Sequence, residues 1–288
     1  MGHVPVLLTE CLAGLQVRPG GHYGDVTVGL GGHAESILDA SGPTGTLIAF
    51  DRDPASLAAA RDRLERFGNR VRFVKGNFDR FDERGGVPPN SMDGLLADLG
   101  VSSPQLDQPE RGFSLMRSGP LDMRMDPTEG PTASEVLSRA TEGEIEGWLR
   151  AAGEERFARK LARRLFESAP NFKTTEDMAT AVSRWVPRRG KSHPATRVFL
   201  ALRMAVNREL ESLGEFLSRA PGVLKSGGRL GVITFHSSED RVVKWFGRKA
   251  AEEGRLKIIT KKPLTPSDAE QRDNPRSRSA KLRVFEKI

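Results

Sequence analysis

Strand-like apolar runs at 23–28, 46–51, 71–75 and 92–99, with helix-patterned segments between the first three, constrain this chain more than any other feature. Strands separated by crossover helices pair in parallel, and a parallel sheet buries both of its faces. The segment DPASLAAARDRLERF is typical of the helices: Asp53 can cap, Pro54 suits the first helical position, and Leu57, Ala60, Leu64 and Phe67 recur at helical spacing. The chain therefore reads as α/β, with a mostly parallel sheet.

That rhythm stops at about Gln105 and stays away until Asn207, where the text is helical and charged. TASEVL offers a capping box from Thr132 to Glu135, and GEERFARKLARRLFESA and TTEDMATAVSRWV carry apolar residues three and four apart. Strand patterning resumes at 227–235, followed by a helix at 238–252 and two further strand candidates at 256–262 and 280–285. The expected organisation is a discontinuous sheet domain, 1–104 and 205–288, flanking an all-α insert at 105–204.

Composition narrows the partner. Forty-five Lys and Arg against 38 Asp and Glu give a formal charge of +7, which favours an anionic partner, nucleic acid ahead of a membrane surface. No apolar stretch approaches the roughly 20 residues of a spanning helix, and MGHVPVLLTE lacks the pattern of a secretory signal, so a cytoplasmic protein is expected. The single cysteine, Cys11, excludes an internal disulfide and a cysteine-based zinc site, and reads as a buried core thiol.

In DVTVGLGGHAE a glycine-rich turn joins the first strand to a helix, which lets backbone approach a ligand and aims helix N–H groups at it. Gly29, Gly31 and Ala34 satisfy G-x-G-x-x-G/A, and Asp51 ends the second strand where a carboxylate can accept both ribose hydroxyls. NAD enzymes and S-adenosylmethionine enzymes share both features, and a tight turn without a ligand needs only the glycines. Asp25 tips the balance, because an acid four residues before Gly29 suits an ammonium group better than a pyrophosphate. After the third strand, GNFDRF offers Phe78 to flank an adenine and Asp79 for its amino group.

The fourth strand ends at Asp98, on the edge where ligands bind in open α/β sheets, and runs into the loop Ser102, Ser103, Pro104, Gln105. Enzymes that methylate exocyclic amines usually carry [D/N/S]-P-P-aromatic there, because a lone pair delocalised into a ring must be held by N–H acceptors in line with the methyl donor. Here Gln105 replaces the second proline and the aromatic is missing; Phe113, in RGFS, is a nearby ring that can stand in.

The blocks HVPVLLTE, GLGGH, DLGVSSPQLD, RGFS, GPLDMRMD, TFHSSEDR and NPRSRSAKLR together resemble the MraW family, also called RsmH, from His3 to the C-terminus. The resemblance implies a class I, Rossmann-like methyltransferase with a helical insert, acting in the cytoplasm on N4 of a decoding-centre cytidine of 16S ribosomal RNA in the small subunit. It implies S-adenosylmethionine contacts at Gly31, Gly32, His33, Asp51, Phe78, Asp98 and Gln105, and a target pocket shaped by Asp122, Arg124 and Asp126. RNA rather than DNA is the expected partner, with a homodimer left open.

The remaining candidates each have a plainer reading. His236, after the strand that ends at Phe235, can face the target base or cap the next helix. GPLDMRMD can be a packed loop with an ion pair. His33 has no partners for a metal site, and no metal is expected. Arg156, Arg159, Lys160, Arg163 and Arg164, with Arg184, Arg188, Arg189, Lys191 and Arg197, read as phosphate contacts or as solvated helix faces. Trp148 and Trp185 read as core of the insert. The expected chemistry is direct in-line transfer to an unstacked cytidine by Asp98, Ser102, Ser103 and Pro104, without a covalent thiol step, since Cys11 lies far from the fourth-strand block.

Overall fold

In the computed structural model, which describes residues 5–188 and 193–288, the chain forms two compact units. The first contains the segments up to Gly100 and from Leu210 onward, and the second spans Val101–Glu209. Arg189 and Lys191 lie outside the described residues.

The first unit opens with α1 (Leu8–Leu15), then β1 (His22–Asp25), α2 (Gly32–Ala40), β2 (Thr46–Asp51), α3 (Pro54–Leu64), β3 (Val71–Lys75), the single turn α4 (Phe81–Arg84) and β4 (Met92–Asp98). In the second unit lie α5 (Ser103–Asp107), α6 (Ala133–Arg139), α7 (Glu142–Ala151), α8 (Ala158–Ser168), α9 (Thr175–Trp185) and α10 (Thr196–Asn207). The chain returns to the sheet through α11 (Glu209–Val223), β5 (Leu224–Thr234), α12 (Ser237–Glu252), β6 (Leu256–Ile258), α13 (Asp268–Asp273) and β7 (Lys281–Lys287).

The strands form one sheet in the order β3-β2-β1-β4-β5-β7-β6, parallel except for β7, which runs antiparallel to both β5 and β6. This is the expected α/β sheet. Every residue of β4 from Met92 to Ala97 is buried, as a central parallel strand covered on both faces requires. One core layer joins α1, α2 and α3 to the sheet through Leu15, Ile37, Leu38, Leu57 and Leu64; the other joins α11 and α12 through Phe216, Leu217, Val243 and Ala250. The strand order reverses between β1 and β4, so their carboxyl ends flank a switch point, where open α/β sheets bind ligands.

Local signals explain most elements. Asp53 caps α3 by accepting the Ala55 N–H at 3.0 Å, and Thr132 closes a capping box with Glu135 at the start of α6. Two strands are shorter than their apolar runs. β1 ends at Asp25 because the chain turns at Thr27, whose hydroxyl accepts the Asp98 N–H at 2.6 Å, and β6 holds three residues at the sheet edge, beyond which Ile259 and Thr260 both donate to Val284 O.

The second unit takes in Ser102–Gln105, which the sequence assigns partly to the sheet domain, because these residues open α5 and pack toward the turn at Pro109–Arg111. In this unit Trp148 lines a small apolar gap with Leu137, Leu165 and Met178, and Trp185 packs on Phe172 at 6.3 Å. Among the described residues no helix is long and apolar enough to cross a membrane.

Candidate active site

Three carboxylates stand at the carboxyl ends of neighbouring strands: Asp51 on β2, Asp25 on β1 and Asp98 on β4. Asp51 anchors the glycine turn, with one oxygen accepting the Gly29 N–H at 2.9 Å and the other the Asp53 N–H at 2.8 Å. Asp25 is 1% exposed and accepts the Thr27 N–H at 3.2 Å. Asp98 Oδ1 is shut off from solvent and has no hydrogen-bond partner among the described residues.

Like charges at this spacing disturb one another. Burial pushes the Asp25 carboxyl up to about 7 against the lowering Thr27 N–H, with the Asp51 charge adding to the rise. Burial likewise lifts Asp51 to about 6, although the Asp53 and Gly29 N–H groups pull the other way. Asp98 is raised well above the usual carboxylate range by burial and then by the charges of Asp25 and Glu239. A site holding three acids, one with an idle oxygen, fits a ligand that brings positive charge and hydroxyl donors.

The turn itself is shaped from outside. Gly31 precedes α2 at φ 81°, a conformation that favours glycine, and a Cβ on Gly32 would sit 2.5 Å from the Pro5 ring. Pro5 belongs to a strap that the sequence does not identify as functional. His33, second residue of α2 and buried, meets Val6 O through Nε2 at 2.9 Å; a carbonyl only accepts, so the proton sits on Nε2. His33 Nδ1 then faces Asp98 Oδ2 at 3.6 Å. Leu7 holds a left-handed φ of 53° and donates its N–H to Glu270 at 2.8 Å, tying the strap to α13. No local signal announces a contact between residues 263 apart.

Other candidates take definite places. Phe78 is half-buried and meets Phe216 edge to face at 5.6 Å, while Asp79, read as an adenine partner, is engaged by the Arg84 guanidinium and the Arg80 N–H. His236 caps α12 by accepting the Glu239 N–H at 3.4 Å, and its Nε2 lies 3.0 Å from Glu239 Oε1, so the capping reading is the one observed. Cys11 is 1% exposed, and burial followed by the charge of Asp98 pushes its thiol well up, which leaves it protonated and unreactive.

In the second unit, Gln105 is buried and its Oε1 accepts the Ser102 N–H at 2.9 Å, which fixes the start of the Ser102, Ser103, Pro104 loop. Phe113 is 7% exposed, so its ring is spent on packing and offers no open face to a base. Asp122 and Arg124 form a two-pronged pair at 2.8 and 2.7 Å. Against the burial that would raise it, those bonds hold the Asp122 carboxyl below its ordinary range. Asp126 accepts both the N–H and the hydroxyl of Thr128. Asn207 pins the same loop, accepting the Met125 N–H and donating to Met123 O, each at 2.8 Å. Internal bonds thus hold the GPLDMRMD loop in one shape. Arg156, Arg159, Lys160, Arg163, Arg164, Arg184 and Arg188 are exposed, while Arg197 is paired with Glu154 at 3.1 Å.

Comparison with known proteins agrees with this architecture. The chain is 51% identical over 287 residues to the ribosomal RNA small subunit methyltransferase H of a Cyanothece species, covering 99% of this chain and 95% of that one. It is 47% identical over 294 residues to the protein of that name from a Synechocystis species, covering 99% and 93%. A crystal structure assigned as an rRNA methylase from Clostridium thermocellum superposes over the full length of both chains with a TM-score of 0.51 at 13% identity, which speaks to the fold alone. The profile of the MraW methylase family matches residues 1–288, and with relatives at this identity over nearly the whole chain, the chain belongs to the MraW methylase family.

Proposed function

We propose that this protein methylates the exocyclic N4 of a cytidine of 16S ribosomal RNA, at the decoding centre of the small subunit, with S-adenosylmethionine as donor. Family membership and the names of its relatives support the reaction class. The observation that carries the site is the buried, partnerless oxygen of Asp98 beside two further carboxylates at the switch point.

The donor, when bound, supplies an electrophilic methyl on a positively charged sulfur. Asp51 would hold its ribose hydroxyls, Phe78 its base, and the Gly31, Gly32, His33 turn the rest of the donor. Asp25 and Asp98 supply charge opposite to its cationic end, which brings their own proton affinity down. Asp98, so ionised, accepts an N–H of the target amine and turns the nitrogen lone pair toward the methyl. The donor would supply the methyl, and the proton that the amine nitrogen gives up would pass to Asp98, whose burial raises its affinity for protons once the donor's positive charge is gone. Ser102, Ser103 and Pro104, fixed by Gln105, form the loop that receives the base. The helical unit, with Asp122, Arg124 and Asp126 in its loop and cations including Arg188 on its surface, recognises the RNA.

The deciding experiment uses labelled S-adenosylmethionine with small subunits lacking the modification, followed by mass identification of the labelled nucleoside. Label in N4-methylcytidine is expected; label elsewhere overturns the target atom, and no label overturns the activity. Cys11→Ala is expected to keep the transfer rate within about twofold, because no thiol adduct is formed. A folded Cys11→Ala protein without activity would overturn the direct scheme.

The carboxylates also set a pH dependence. Each folded-state value lies above the roughly 3.9 of an unfolded aspartate, so the contribution of Asp25 and Asp51 to ligand-free stability is fullest below about pH 4 and falls as pH rises toward 7. A cationic ligand favours the ionised forms. Binding of S-adenosylmethionine at pH 6 should therefore release protons, seen as a calorimetric enthalpy that varies with the ionisation enthalpy of the buffer, and should release fewer at pH 8.5, where Asp25 and Asp51 are already ionised. Proton uptake at pH 6 would contradict the assignment.

A further inference from the structure

We infer that the outer face of α12 is a second RNA-binding surface, which holds a single-stranded ribosomal RNA segment flanking the target nucleotide. The inference rests on the proposed rRNA substrate and extends it to a part of the sheet unit outside the carboxylate site.

α12 leaves the carboxyl end of β5, which is aligned with that of β4 through the Asp98 to Ile233 pairing, so the helix begins at the edge that carries the carboxylates. Its inner face is locked down. Glu239, Val243, Gly247 and Ala250 are buried, and Gly247 lies so close to Phe285 that a Cβ there would be 2.1 Å from the ring. At 100° per residue the opposite face carries Arg241, Lys244, Trp245, Arg248 and Lys249, all exposed. They span about 12 Å along the helix axis at 1.5 Å per residue.

Two features separate this face from an ordinary solvated one. First, Trp245 is 61% exposed, and the Arg248 guanidinium lies over its ring at 5.6 Å from the centroid. An indole left open to water beside stacked guanidinium is the platform on which an unpaired base stacks. Second, none of Arg241, Lys244, Arg248 and Lys249 has an ion-pair partner among the described residues. The nearby acids are withdrawn: Glu239 is buried, and Asp240 is turned to Lys281 and Arg283 at 3.3 and 2.7 Å. Only Glu252, in the last turn, adds a negative charge to the stripe. Unpaired cations around one aromatic ring match a chain of phosphates with a splayed base.

The test compares Trp245→Ala, Trp245→Phe and the double variant Lys244→Glu/Arg248→Glu with the unaltered protein. It measures affinity for unmodified small subunits and for protein-free 16S RNA, methyl-transfer kinetics, and S-adenosylmethionine binding as a control for folding. Trp245→Ala should weaken RNA binding about tenfold and raise KM without changing kcat, and Trp245→Phe should restore most of the loss. The double variant should also bind less tightly and show a shallower dependence of log affinity on log salt, by about 1.4 for two lost phosphate contacts. Unchanged affinity and KM in all variants would overturn the inference and leave the proposed activity standing. Loss confined to intact subunits, with protein-free RNA bound normally, overturns it in favour of a protein contact. If the unaltered protein transfers no methyl group, the activity falls, and the RNA affinities alone decide the α12 face.

Discussion

Asp98→Asn is expected to slow methyl transfer by about 10²–10³-fold while raising the melting temperature of the ligand-free protein. The two effects share one cause. The Asp98 carboxylate is held where its charge is disfavoured, with Oδ1 lacking a hydrogen-bond partner among the described residues and Oδ2 3.6 Å from His33 Nδ1. A neutral amide of the same shape removes the charge and can donate to His33 Nδ1. On the proposed function the strain serves the reaction, since a cation and an amine N–H would relieve it. Single-turnover transfer to unmodified small subunits measures the first effect and thermal unfolding the second. A variant that is active, or one that is inactive and less stable, contradicts this account.

Gly119→Ala is expected to unfold the loop architecture of the helical unit, costing about 3 kcal/mol, while S-adenosylmethionine binding by the sheet unit survives. A Cβ at residue 119 would fall 1.8 Å from the Pro109 carbonyl oxygen, a backbone atom that no rotamer change can move aside. The same residue stitches the loop to α9: its N–H donates to Thr175 Oγ1 at 3.2 Å and its carbonyl accepts the Thr175 N–H at 2.9 Å. Hydrogen exchange should rise across 101–209 and stay low in β1, β4 and β5. Methyl transfer to RNA should be lost. Gly143→Ala, on α7 with nothing near its Cβ position, should be neutral or slightly stabilising through helix propensity alone. Equal behaviour of the two variants would contradict the close-packing argument.

The parts of the fold that the sequence announces are those written in short-range chemistry. The α3 cap, the α6 capping box, the parallel strand rhythm and the apolar run of β4 are each fixed by a few neighbouring residues. Asp25 and Asp98 stand out for the same reason, since each ends a strand that leads into a glycine- or serine-bearing loop, and Asp51 stands out by ending a strand twenty residues beyond Gly31. What the sequence hides is pairing at long range. The Pro5 to Leu7 strap, its anchor on Glu270, and the use of the Thr27 hydroxyl to join β1 to β4 depend on residues that only the finished fold brings together. Contacts set by packing are hidden as well: Phe113 is buried, His236 caps its helix, and Asp122 closes on Arg124.

The broken path of the chain through the sheet has a consequence for synthesis. When β4 has left the ribosome, its outer edge has no neighbour, because β5 lies beyond the whole of the helical unit. At ordinary elongation rates that edge waits roughly ten seconds for its partner. A strand with Leu95, Leu96 and Ala97 at its centre, left open for so long, is a template for pairing with another nascent chain. The helical unit, by contrast, is made from one uninterrupted stretch and can fold during the delay. Soluble yield should therefore fall when translation is crowded, and slower, cooler expression should favour the native sheet.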